Sequence, residues 1–136
     1  MPTLDEIASA FRGADRDLRV QLLLDYGRRL PPLPARFQPE REAHRVHECM
    51  TPLFVWVEPG ADGTVRLCID VAEEAPTVRG IAGVLVAALD GAPRDAYERL
   101  PEDLVAALAL DDVIRMNRVV GIAGLVGRIR RGAQAA

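Results

Sequence analysis

The side chains of this chain that could do sulfur, acid–base or metal chemistry lie mostly in one stretch. His44-Arg45-Val46-His47-Glu48-Cys49-Met50-Thr51-Pro52 holds both histidines and one of the two cysteines. It runs straight into the apolar Leu53–Val57, which carries the only tryptophan, Trp56. Proline cannot donate to a sheet ladder, so Thr51-Pro52 suits the entry of a strand rather than its middle. Cys49 is therefore expected on a loop at the mouth of a strand. Two readings stay open: a presented thiol that reacts as its thiolate, or one more buried small apolar residue, as free cysteines often are. Arg45 and His47 would favour the thiolate, and Glu48 would oppose it.

Other chemistries fare worse. His44, His47, Cys49 and Cys68 are the soft or borderline ligands, and they lack the tight paired spacing of a closed zinc site, so no metal is expected. The single serine, Ser9, falls in a helical stretch without a nucleophile elbow. Glu73-Glu74 reads as charge placed before a helix rather than an acid–base pair. All 17 basic residues are arginine, which removes any Schiff-base lysine, P-loop or catalytic amine from this chain.

With 136 residues, 49% hydrophobic and 27% charged, the chain fits one domain, residues 1–136, able to bury a single core. A formal net charge of −3 without a long basic run gives no general pull on nucleic acid. The longest apolar run, Ile81–Leu89, is too short to span a bilayer. The first residues have neither a basic nor an apolar segment of a signal peptide, and two cysteines make no disulfide framework. A cytoplasmic protein is expected.

Thr3-Leu4-Asp5-Glu6 predicts a capped short helix ended by Gly13, and Asp15 a second helix to about Arg29 with Leu18, Leu22 and Tyr26 on one stripe and Leu23 and Leu30 beside it. Pro31-Pro32-Leu33-Pro34 and Pro39 predict a connector wrapped on the surface. Leu53–Val57 and Val65–Val71 predict a hairpin through Glu58–Gly63. Pairing Val57 with Val65 puts Leu53, Val55, Val57, Val65, Leu67 and Ile69 on the core face. Phe54, Trp56, Arg66, Cys68 and Asp70 take the other face. The same register brings the Cys49 loop beside Glu73 and Glu74. Pro76 opens a helix with Ile81, Val84, Leu85, Ala88 and Leu89 as its buried stripe, stopped by Gly91. Gly80 and Gly83 in it suggest close packing on a sheet or loop. Short helices follow Pro93 and Pro101. A last helix runs from about Asn117 to Arg131, with Gly121, Gly124 and Gly127 on one side and Arg128, Arg130 and Arg131 suiting its C-terminal dipole. Residues 132–136 are expected to fray. The order predicts an α+β domain with a small antiparallel sheet packed against helices.

In this order, several segments resemble the SufE family of sulfur acceptors in iron–sulfur cluster assembly. They are Cys49-Met50-Thr51-Pro52-Leu53-Phe54, the run Ala72 to Ile81 with its Glu73-Glu74, the Asp-Tyr-Gly-Arg-Arg-Leu-Pro run at 25–31, and Arg118 to Gly121. The resemblance covers about Leu4 to Arg131. It implies the fold shared by SufE and the IscU-type scaffolds, and makes Cys49 the persulfide-forming nucleophile. It further implies a SufS-type cysteine desulfurase as partner, whose own pyridoxal phosphate (PLP) does the desulfuration, and a cluster scaffold as recipient. Under this reading the chain binds no cofactor and is a monomer or weak homodimer.

Two departures from the family pattern stand out: Glu48 replaces a common glycine, and Arg115-Met116-Asn117 replaces a Ser/Thr-Pro approach to the family's arginine, best matched by Arg118. Arg118 and Arg79 are the supporting charges expected near Cys49, Glu74 the residue expected to gate its loop, and Cys68 a structural residue. The alternatives are a metal or cluster scaffold of the related fold, and an interaction module with an inert Cys49.

Overall fold

The computed structural model describes residues 1–136. Thr3 and Glu6 cap each other to start α1 (Leu4–Arg12), which buries Ile7, Ala8 and Phe11. Asp15 accepts the Leu18 amide at 2.9 Å and starts α2 (Arg16–Arg28). The expected stripe on α2 fails only at its first residue, since Leu22 and Tyr26 pack against the core. Leu18 is exposed, while Leu23, Gly27 and the following Leu30 face inward.

The reason is a helix crossing. α3 (Pro76–Leu89) starts with proline and ends before Gly91, whose φ of 83° only glycine adopts without strain. Its Gly80 and Gly83 press on α2, not on a sheet or loop as expected. A Cβ at Gly80 would lie 2.5 Å from both the Cγ and the carbonyl oxygen of Leu23. Gly27 answers from α2, 3.1 Å from the Gly80 amide nitrogen when given a Cβ. Backbones this close let the buried stripe of α3 reach both α2 and the sheet.

β1 (Leu53–Pro59) and β2 (Thr64–Val71) form the antiparallel hairpin, and β3 (Ala92–Pro93) adds a short third strand beside β2 that sequence periodicity did not mark. The register is two residues from the expected one: Val57 pairs with Leu67 and Pro59 with Val65. β1 runs further than expected, and the Gly60 amide closes the turn on the Thr64 carbonyl at 2.8 Å. A slip of two leaves every side chain on its expected face. Leu53, Val55, Val65, Leu67, Ile69 and Val71 accordingly enter the main core with α1, α3 and α6 (Met116–Ala135).

The other face is not left to solvent. Phe54 and Trp56 are 0% and 2% exposed, because the proline-rich connector folds over them as a second layer. Its 3-10 helical turns over Ala35–His44 deliver Phe37, which stacks on Trp56 at 4.9 Å, and Arg41 lies 3.7 Å over the Phe54 ring. Two large aromatics on alternate positions expose too much apolar area to stay wet.

Helices α4 (Arg94–Glu98) and α5 (Leu104–Ala107) close one end. Tyr97 of α4 is fully buried and its hydroxyl donates toward the carbonyls of Leu89 (2.6 Å) and Val65 (3.0 Å), which ties α3 to β2. The C-terminus corrects the expected fraying, since α6 continues to Ala135. Gly132 packs on Val57, Ala133 is buried, and Arg94 donates to the carbonyls of Ala133 and Ala136.

Candidate functional site

The loop bearing Cys49 is closed at its root by main-chain bonds. Arg45 bridges Phe54, and the Val46 amide donates to the Leu53 carbonyl at 2.8 Å. Val46 and Leu53 are both fully buried, so the root is fixed and residues 47–52 project from it. The Cys49 amide turns back to the Val46 carbonyl at 3.2 Å, which folds the thiol inward. Cys49 is 6% exposed while its neighbour Met50 is 85% exposed. A covered thiol thus lies one residue from the most open large hydrophobic side chain of the protein.

What covers it is α6. A Cβ at Gly121 would meet the Cα, Cβ and Sγ of Cys49, each at 3.0 Å, so a side chain there would push the loop outward by a few tenths of an ångström. One turn on, a Cβ at Gly124 would stand 2.9 Å from Glu48 Cβ. The bulk that Glu48 brings beside the cysteine is therefore accommodated by a second missing side chain. Arg118 donates to the Thr51 hydroxyl beyond the cysteine, and Arg128 donates to the carbonyls of Arg45 (2.9 Å) and Ala43 (3.3 Å) before it. Arg118, Gly121, Gly124 and Arg128 recur at helical spacing and present one face to the loop.

Arg128 was read from the sequence only as charge at a helix end; its bidentate hold on the loop root was missed. The signal was present in its spacing from Arg118 and the glycines, but not what that face would meet. Gly127 does not share in this contact, since its open side meets only Arg131 of its own helix.

Arg118 is thus brought to the loop. Arg79 is committed elsewhere, with Nη1 donating to the Val71 carbonyl at 2.8 Å. The Ala72 amide donates to the Pro52 carbonyl at 3.3 Å, so the turn carrying Glu73 and Glu74 runs alongside the Thr51-Pro52 end of the loop. Both glutamates are exposed. The seat of Cys49 itself is α6.

The remaining soft ligands are dispersed. His44 stacks on Trp56 at 4.9 Å and its Nδ1–H donates to the Val55 carbonyl, while His47 is exposed. Cys68 pairs with Trp56 on the connector-covered face and lines a cavity of about 240 Å³ with Phe37, Arg36 and Asp90. Cys49 and Cys68 therefore lie on opposite sides of the sheet. No three His, Cys, Asp or Glu side chains come together as a metal-holding group. Burial first, then Asp70 and Asp90, pushes the Cys68 thiol up to about 11.

The chain has clear relatives. The family model described as "SufE: Fe-S metabolism associated domain" matches residues 5–133. The chain belongs to the SufE family. Uncharacterized SufE-like proteins of two Mycobacterium tuberculosis strains are each 35% identical over 128 residues, spanning 94% of this chain and 89% of theirs. SufE-like protein 1, chloroplastic/mitochondrial, of Arabidopsis thaliana is 26% identical over 133 residues, where this chain spans 35% of that longer protein. The solution structure of a hypothetical protein from Thermus thermophilus superposes with a TM-score of 0.85 at 33% identity, covering 98% of this chain and 94% of that one. The fold is the SufE α+β fold, and the SufE domain ties the protein to iron–sulfur metabolism.

Proposed function

We propose that this protein accepts sulfur from a PLP-dependent cysteine desulfurase on Cys49, stimulates that enzyme, and hands the sulfur to an iron–sulfur cluster scaffold in the cytoplasm. The observation that carries the reading is the loop itself: a covered thiol on a six-residue projection with a pinned root and an exposed tip. Sulfur exchange needs an accessible thiolate and in-line approach, and no amine, metal or redox partner within the chain.

The Cys49 thiolate attacks the outer sulfur of the desulfurase persulfide. A new S–S bond forms at Cys49 Sγ as the partner's S–S bond breaks, and the bonding pair leaves on the partner's cysteine, which takes up a proton. No net oxidation occurs. A scaffold thiolate repeats the exchange on the outer sulfur of Cys49. Arg118, held at Thr51, keeps a positive charge beside the loop during both steps; Arg79 is a more distant supporting charge. Glu74, exposed in the turn beside Pro52, gates the loop toward its resting position.

Incubation with a cysteine desulfurase and cysteine tests this. A mass gain of about 32 Da, one sulfur atom, is expected on Cys49. Cys49→Ser should fold normally, carry no added sulfur and no longer stimulate the enzyme, whereas Cys68→Ser should retain most of the stimulation. Full stimulation by Cys49→Ser would overturn the assignment.

A further inference from the structure

Cys49 sits close against α6. On the helix side, a Cβ at Gly121 would stand 3.0 Å from the Cα, Cβ and Sγ of Cys49 alike, tighter than an ordinary contact. On the solvent side only 6% of the residue is open, and none of the three principal cavities is lined by Cys49. A second sulfur on Sγ stands about 2.05 Å from it and brings roughly the bulk of a methyl group. Interiors packed to crystal density do not absorb such an addition without movement.

We propose that Gly121 is a positioning residue that shapes a seat for Cys49 as a thiol and rejects it as a persulfide, so that sulfur loading itself lifts the loop off α6. This rests on the sulfur-acceptor reading of Cys49 and adds the regulation of that site. The element that yields is the loop. α6 is anchored through Ile122, Leu125, Val126 and Ile129, all at most 2% exposed, whereas His47, Glu48 and Met50 are exposed. Arg128 and the Val46–Leu53 bond hold the root, and Arg118 on Thr51 with the Ala72–Pro52 bond holds the far end, which confines the movement to residues 47–50. The empty carrier then rests closed, and the loaded carrier offers its outer sulfur to the recipient. Direction of transfer follows from the fit of one glycine.

The test separates this from the acceptor reading by loading Cys49 chemically. Inorganic polysulfide transfers one sulfur to the Cys49 thiolate and departs one sulfur shorter, taking a proton; peptide mass mapping verifies the site. Amide hydrogen exchange is then compared between thiol and loaded forms. Loading should speed exchange of the Cys49 amide, the one loop amide held by a hydrogen bond, at least about tenfold, with α1, α2 and α3 unchanged. Gly121→Ala should exchange faster as the free thiol and gain little more on loading, because its Cβ already does what the second sulfur does. Gly127→Ala, on the same helix but facing only Arg131, should behave as wild type. Equal exchange in the thiol and loaded wild type would overturn the proposal, as would a Gly121→Ala protein with the full wild-type response to loading. Opening on chemical loading, without any loading by a desulfurase, would instead sink the acceptor reading and leave the seat intact.

Discussion

Gly83 of α3 rests on the main-chain carbonyl of Tyr26 in α2: a Cβ at Gly83 would stand 2.5 Å from the carbonyl carbon and closer still to its oxygen. The obstacle is backbone, which cannot rotate aside as a side-chain tip would. With Gly80 on Leu23 and Gly27 facing back, this contact sets the spacing of α2 from the helix that supports the sheet.

Gly83→Ala is therefore expected to destabilise the fold by about 2 kcal/mol or more. The helix propensity it gains, about 1 kcal/mol, is outweighed by overpacking against backbone. Urea unfolding followed by far-UV circular dichroism checks this. Unchanged or raised stability would mean that the helices separate at little cost.

Phe37→Ala should cost about 3 kcal/mol and uncover Trp56. Phe37 is the connector's buried anchor, stacked on Trp56 with an interplanar angle of 26°. Trp56 is the only tryptophan, so its emission reports on this layer directly. A red shift in the native protein is expected before any unfolding. Emission that stays blue would show that His44, stacked on the same ring, suffices to keep it dry.

Cys68 gives a pH dependence with a defined sign. Its thiol is held up to about 11 from an ordinary 9.0, chiefly by burial and then by Asp70 and Asp90. The folded state thus binds the proton more tightly than the unfolded chain does. The associated stability is fully present below pH 9.0 and is lost as the pH rises through about 11. Wild type should lose more stability than Cys68→Ser between pH 8 and about 10.5, with Tyr97 common to both proteins. Parallel denaturation midpoints across that range would show that the thiol is as easily ionised as in the unfolded chain.

Local rules made much of this molecule legible. The Thr3–Glu6 cap, Asp15, Pro76 and Gly91 mark helix ends through chemistry that acts within one turn. Alternation along Leu53–Val57 and Val65–Val71 assigned both faces of the hairpin, and survived a two-residue error in register because side chains repeat every second residue. The prediction of Cys49 on a loop before a strand also came from local sequence: a polar run, a Thr-Pro step and an apolar strand.

What each face meets is set by long-range packing. Nothing near Leu18 says that α2 turns toward Gly80 and Gly83 with Leu23 and Gly27 instead. The proline-rich connector reads as a wrap until Phe54 and Trp56 are seen to need a cover on their side of the sheet. Residues 132–136 look like a tail until Gly132 meets Val57 and Arg94 takes the last carbonyls. Cys49 and Gly121 are 72 residues apart, and their fit depends on where α6 crosses the loop. Most of the elements and the reactive candidate are legible locally, because propensity, capping and alternation are short-range. The seat of the thiol is a long-range contact, which no local pattern encodes.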